Sequence, residues 1–215
     1  MPWIEQLRSA NWSEAGCVCL AAYLLGCFTT GYYLVRARTG QDLRELGSGS
    51  VGARNVGRLL GWQGFVLTVL GDFGKGALAV WAARHFTTDD RLVVVAMLAV
   101  VAGHVWPAQL HFHGGKGMAT SLGALLVYDW QSALAFALVF AGAFAALRKT
   151  VLPGLFALAC LPLVSAYLGC GPTAVMGLAA LAGLVLLAHR NNVMAEFSTF
   201  LERRTVDPKH DSPEL

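Results

Sequence analysis

Apolar residues run along this chain in long blocks, broken by short polar strings. Blocks of about 17–25 apolar residues with few charges are the pattern of membrane-spanning helices. They predict helices at 16–35, 59–83, 92–110, 114–128, 131–147, 151–168 and 173–188. The second is crossed by Asp72 and Lys75, and the fourth is short and Gly-rich. Asp129 and Trp130 make a tight break between the fourth and fifth. Pro153 and Pro162 are expected to deform the sixth, which neighbouring helices in a bundle tolerate. The expected fold is all-α: a polytopic membrane protein of seven transmembrane helices, with one domain over residues 1–202 and a flexible cytoplasmic tail at 203–215. No internal repeat supports an inverted-repeat transporter.

Charge orients the pattern. With seven spans, the connections at 36–58, 111–116 and 148–150 share a side with the tail. That side carries Arg36, Arg38, Arg44, Arg54, Arg58, Lys116, Arg148, Lys149, Arg190, Arg203, Arg204 and Lys209, whereas Arg8, Arg84 and Arg91 fall opposite. Basic loops stay inside, so the C-terminus is expected in the cytoplasm and the N-terminus outside. The N-terminal stretch lacks a basic start before an apolar core, so the first run is expected to remain as a helix. Composition agrees: 56% of the 215 residues are hydrophobic and 13% charged, against roughly 25% charged in soluble domains. A net charge of +3 gives no argument for nucleic acid. Cys17, Cys19, Cys27, Cys160 and Cys170 fit neither a disulfide framework nor a zinc site, and read as buried small hydrophobes.

Three polar strings fall on the basic side: GSGSVGARNVGR at 47–58, HFHGGKG at 111–117 and HRNN at 189–192. Polar groups at a membrane are costly and tend to mark function. Gly47, Gly49 and Gly52 match G-x-G-x-x-G, but no β-strand precedes them as a dinucleotide fold requires. Closely spaced glycines before a helix still let N–H groups approach an anion, and Ser48, Ser50, Arg54, Asn55 and Arg58 add donors. A plain surface loop accounts for the glycines but not for that set of donors. Lys116 stands between glycines (Gly114, Gly115 and Gly117), outside any P-loop pattern. It can present its ammonium to a phosphate, or it can snorkel to headgroups. His104, His111 and His113 lack a nearby carboxylate or cysteine to complete a metal site, and no metal is expected. His189 and Asn192 share a helical face if the last span continues through them. Asp72 and Lys75, three apart within a span, read as a structural clasp.

These strings, in this order, resemble the bacterial acyl-phosphate-dependent glycerol-3-phosphate acyltransferases of the PlsY type. That family carries GSGN-x-G-A-T-N-x-x-R, GH-x-x-P…F-x-GGKG-x-A-T and HR-x-N-I; here they read GSGSVGARNVGR, GHVWPAQLHFHGGKGMAT and HRNNV. DFGKG at 72–76 and DLRELGSG at 42–49 are similar too. The resemblance implies a seven-helix fold in the bacterial inner membrane, multi-pass, monomeric, with its site at the cytoplasmic face. It implies acyl transfer from acyl phosphate to the sn-1 hydroxyl of glycerol 3-phosphate, with membrane lipid as surroundings and no cofactor. In the family the substrate phosphate is thought to take the hydroxyl proton. The expected catalytic residues are Ser48, Lys116, His189 and Asn192. The expected phosphate and substrate contacts are Gly47, Gly49, Arg54, Asn55, Arg58, Gly114, Gly115 and Gly117. Ser50 and Arg54 depart from the family Asn and Thr, Val151 and Gly154 stand where it has phosphate-holding serines, and Ala195 and Glu196 replace a family R-L pair. A different acceptor, or a non-catalytic lipid-phosphate binder or transporter, is the alternative. A transporter needs mid-membrane polar residues in several helices, and beyond Asp72 and Lys75 the chain has few.

Overall fold

The computed structural model describes residues 12–191 and 194; Asn192 and the tail at 203–215 lie outside the described residues. Among these it is all-helical: α1 (Trp12–Cys27), α2 (Thr30–Thr39), α3 (Ala53–Phe86), α4 (Asp90–Val105), α5 (Met118–Tyr128), α6 (Trp130–Leu147), α7 (Val151–Tyr167) and α8 (Pro172–Ala188). By length and apolarity Trp12–Thr39 (α1 with α2), α3, Asp90–Leu110 (α4 with the turn after it) and α6 suffice to cross a membrane, while α5, α7 and α8 are shorter apolar helices. Leu70, Leu138 and Leu163 are exposed on outward faces, as expected of a surface that meets hydrocarbon. Cys17 and Cys19 are exposed on α1 as well, which corrects the expectation that all the cysteines are buried. A lipid-facing site suits a small apolar thiol equally well.

Glycine pairs set the closest approaches. On the α1–α4 contact a side chain at Gly26 would meet the Val100 backbone, and one at Gly103 would meet the Tyr23 backbone. Gly76 and Gly123 meet the Thr120 and Phe73 backbones in the same way between α3 and α5. Without a hydrophobic force between helices in lipid, such close packing supplies much of the association.

Buried between these contacts, Lys75 Nζ lies 3.1 Å from the Asp72 carboxylate and 2.8 Å from His104 Nδ1. It also donates to the carbonyls of Gly26 (3.0 Å) and Phe28 (2.7 Å), and Asp72 accepts from the Thr30 N–H at 3.3 Å. This explains why the first expected span, 16–35, is two helices. The chain opens at Phe28–Thr29, and the freed backbone groups are taken up by the clasp.

The second span begins at Ala53 rather than 59. Gly61 turns it with φ +70° and ψ −167°, a conformation open to glycine and little else. Residues 53–58, expected as loop, form with 59 and 60 a separate first segment carrying Asn55 and Arg58, and exposed Trp62 follows the elbow. The third span stops at Val105, where Pro107 cannot continue a helix. The fourth begins only at Met118, because Gly114–Gly117 form a loop. Asp129 ends α5 and caps α6 by accepting from the Gln131 and Ser132 N–H groups. α7 runs through Pro162 as one helix, and Pro153 falls in its first turn, where a missing N–H costs no bond. The expected deformation is not a break.

Removing one member of a buried ion pair strands the other. Lys75→Met is expected to lower stability by about 3–5 kcal/mol, read by unfolding in detergent. A variant as stable as the parent would show that the clasp holds nothing.

Candidate active site

The first polar loop is tied down before it reaches the glycines. Asp42 accepts from the Arg44 N–H at 2.9 Å and pairs with its guanidinium at 2.6 Å. Arg44 also donates to the Leu110 carbonyl at 2.9 Å and lies over the Tyr32 ring. The hydrogen bond from Arg44 holds the Asp42 carboxyl below the ordinary carboxylate value. Arg44 thereby fixes the first loop to the turn that leads into the second.

Beyond it, Gly47 to Gly52 fold around Asn55. The buried Asn55 amide accepts from the Ser48 N–H at 3.0 Å and donates to the Leu46 and Ser50 carbonyls at 2.9 and 3.0 Å. Gly47 rests against that amide, and the Gly49 N–H closes on the Leu46 carbonyl at 3.0 Å. Asn55 and Gly49 thus spend their polar groups shaping the loop, which corrects their expected role as direct phosphate donors. α3 starts at Ala53 with no side-chain cap; the Asn55 N–H turns back to the Gly52 carbonyl at 3.0 Å, which leaves the Ala53 and Arg54 N–H groups for a ligand. Arg54 and Arg58 are exposed on the same segment.

The second loop repeats the design. The Gly114 and Gly115 N–H groups donate to the Val105 and His104 carbonyls at 3.1 and 3.0 Å. A Cβ at 114 would strike the His104 carbonyl, and one at 115 would strike the His104 ring. These two glycines are needed for close packing and are not free donors, a second correction. Gly117, with φ +82°, starts α5 without a side-chain cap; the uncapped first turn and the half-buried Lys116 stand side by side. Burial, and then the charge of Arg54, push the Lys116 ammonium below the ordinary lysine value.

At the end of α8, buried His189 sets its Nδ1 2.9 Å from the Val185 carbonyl. A carbonyl only accepts, so Nδ1 carries the proton and neutral Nε2 is an acceptor. Burial lowers the His189 pKa; the Val185 hydrogen bond opposes this, and the Lys116 charge adds to it. His189 thereby presents an acceptor to the chamber. Arg190 turns outward and bonds the Leu187 carbonyl.

The three strings meet. Ser48, Arg54, Asn55, Arg58, Lys116, Gly117 and His189 line one cavity of about 560 Å³. A second cavity of about 540 Å³ lies among α5, α6 and α7, walled by Leu122, Leu126, Phe136, Phe140, Val151 and Gly154. The two share Arg54, Phe73, Met118, Leu122, Val151 and His189, so a cation-lined chamber opens into an apolar groove. Asp72 and His104 also wall the polar chamber, which the sequence reading missed although GH at 103–104 leads the second string. His111 and His113 are exposed, apart from His104. Among the described residues no three His, Cys, Asp or Glu are grouped to hold a metal ion.

The arrangement suits an amphiphile with an anionic head, and comparison with known proteins agrees. The family model described as glycerol-3-phosphate acyltransferase matches residues 16–198. Glycerol-3-phosphate acyltransferase 1 of Desulfitobacterium hafniense (strain Y51) is 44% identical over 185 residues, covering 86% of this chain and 92% of the relative. The glycerol-3-phosphate acyltransferase of Jannaschia sp. (strain CCS1) is 42% identical over 178 residues, covering 83% and 87%. Crystal structures of PlsY, an integral membrane glycerol 3-phosphate acyltransferase, superpose with TM-scores of 0.78 for the glycerol 3-phosphate form and 0.76 for the lysophosphatidic acid form. They are 33% and 31% identical, each covering 86% of this chain and 92% of that one. A match across most of the chain, with its three polar strings gathered at one chamber, makes this protein a member of the glycerol-3-phosphate acyltransferase family.

Proposed function

We infer that this chain transfers a fatty acyl group from acyl phosphate to the sn-1 hydroxyl of glycerol 3-phosphate, giving lysophosphatidic acid and phosphate. The observation that carries the reading is the opening of the cationic chamber into the apolar groove at Arg54 and His189. The groove takes the acyl chain, and the chamber takes the phosphates. The protein works as a monomer in the bacterial inner membrane, with seven crossings and the chamber at the cytoplasmic face. The distribution of basic residues supports that orientation.

Two phosphates need neutralising. Lys116, Arg54 and Arg58 supply charge, and the uncapped starts of α3 and α5 supply backbone donors. The hydroxyl oxygen attacks the acyl carbon, the bond from that carbon to the phosphate oxygen breaks, and phosphate leaves with the electron pair. The acyl phosphate is already activated, so a strong protein base is not required; phosphate oxygen takes the hydroxyl proton. His189 Nε2 accepts a hydrogen bond from that hydroxyl and orients it, and Ser48, which lines the same chamber, adds a further contact. Arg54, which lines both cavities together with Val151, supplies charge to the acceptor phosphate.

A C-terminal reporter is expected to be cytoplasmic and an N-terminal one external; the reverse would remove the chamber from the substrate's side. Lys116→Ala is expected to lower acyl transfer by about 10²–10³-fold while the protein inserts normally. The measurement is phosphate release from acyl phosphate with and without glycerol 3-phosphate. Release that ignores glycerol 3-phosphate in the parent protein selects a different acceptor, and none at all selects a binder.

Turnover is also expected to fall at both ends of the pH range. On the acid side His189 gains a proton and loses its acceptor, at a pH below the ordinary histidine value because its pKa is lowered. On the alkaline side Lys116 loses its charge, at a pH below the ordinary lysine value. Arg54→Thr relieves one depressing charge, so the alkaline limb is expected to move upward and the KM for glycerol 3-phosphate to rise about tenfold. An unmoved limb would show that Lys116 does not set it.

A further inference from the structure

The buried clasp leaves one ring nitrogen that no described residue bonds. Lys75 Nζ faces the Gly26 and Phe28 carbonyls, the Asp72 carboxylate and His104 Nδ1. An ammonium has donors and no lone pair, so Nδ1 accepts from it and the ring proton of His104 sits on Nε2. His104 is 4% exposed and walls the polar chamber, and its Nε2 has no partner among the described residues. The Nε2 edge lies against Gly115, the residue before Lys116. In the same chamber His189 holds the opposite tautomer, with Nδ1 engaged by Val185 and Nε2 free to accept. One imidazole presents a fixed donor and the other a fixed acceptor.

We propose that His104 is a further catalytic residue, whose Nε2–H donates to the carbonyl oxygen of the bound acyl phosphate as that oxygen gains charge. This rests on the acyl-transfer reading above. A phosphate arrives charged and is met by Lys116, Arg54 and Arg58. The acyl oxygen is neutral in the ground state and charged only during reaction, where a neutral donor held in a water-poor wall contributes most. The Lys75 ammonium draws electron density from the ring through Nδ1 and strengthens Nε2–H without making imidazolium. Neutral imidazoles polarise carbonyls elsewhere in this way. As the hydroxyl oxygen adds to the acyl carbon, the carbonyl electron pair moves onto the oxygen that His104 holds. It returns as the bond to phosphate breaks, and phosphate departs with that bond's pair. His104 lends a hydrogen bond and transfers no proton.

The test is isotope-edited infrared spectroscopy of acyl phosphate labelled with carbon-13 at its carbonyl, bound without acceptor in detergent. With the parent protein the carbonyl stretch is expected below its value in empty micelles. The shift is expected to vanish in His104→Phe and to persist in His104→Gln, whose amide nitrogen reaches toward the Nε2 position. His104→Phe is expected to lower kcat by about 10²–10³-fold with the KM for glycerol 3-phosphate within a few-fold, and Gln to recover part of the loss. Absence of the shift in the parent protein overturns the assignment whether or not the variants fold, as does its persistence in His104→Phe. A raised KM for glycerol 3-phosphate at unchanged kcat overturns it as well, moving His104 to the acceptor phosphate. If the parent protein releases no phosphate in the presence of glycerol 3-phosphate, the acyl-transfer reading falls and this one with it; a parent that turns over but shows no shift overturns this one alone.

Discussion

An ammonium inside a helical bundle has to be met by acceptors, because its desolvation costs several kcal/mol. Lys75 meets that demand with backbone as well as with Asp72. α1 ends at Cys27, and the last carbonyls of a helix have no intrahelical partner; Lys75 takes that of Gly26 and adds that of Phe28. α2 begins at Thr30, whose N–H is unpaired for the same reason, and Asp72 takes it. The cation therefore caps a helix C-terminus and the anion a helix N-terminus, each matching the sign of the local dipole. A single i,i+3 pair on α3 both breaks the first span and closes the break.

The site inherits its rigidity from this arrangement through His104. Its ring is held by Lys75 and its carbonyl by the Gly115 N–H, so the lysine loop rests on a residue that the clasp has already fixed. Asn55 does the equivalent work for the first loop, with three backbone partners on one amide. In both loops the polar atoms nearest the glycines are consumed in holding shape. What remains to line the chamber is Ser48, Arg54, Arg58, Lys116, His104 and His189, together with two helix starts. Preorganised donors of this kind need no reorganisation when charge develops.

The helical class and most helix positions were legible because apolar run length alone decides them. The break at Phe28–Thr29 was not, since no local residue between 16 and 35 forbids a helix and the cause lies on α3. The start of α3 at Ala53 was hidden for a similar reason: Asn55 and Arg58 read as loop, and only the positive φ of Gly61 divides an interfacial segment from the span. Residues from all three polar strings line one cavity. The strings misassigned Asn55, Gly49, Gly114 and Gly115, because composition does not tell whether an N–H or amide faces a ligand or its own backbone. The apolar groove left no mark, since Phe136 and Phe140 look the same whether they face lipid or an acyl chain.

The charge at the chamber's mouth argues for an anion on energetic grounds. Partial burial, and then the charge of Arg54, disfavour the charged state of Lys116 when nothing lies between the two cations. A fold gains nothing from two such cations at a low-dielectric edge unless a ligand supplies the missing charge. A phosphate placed there turns their repulsion into two charge-assisted contacts. Arg54 borders the point where Phe73, Met118 and Val151 begin the groove, with Lys116 on the chamber side alone, so an amphiphile can satisfy charge and hydrocarbon together only with its head in the chamber and its tail among α5, α6 and α7. Its ester-forming carbon then lies at the junction, beside His189 and within the wall that His104 completes. Orientation of the donor follows from where charge and hydrocarbon can each be accommodated, before any specific hydrogen bond is counted.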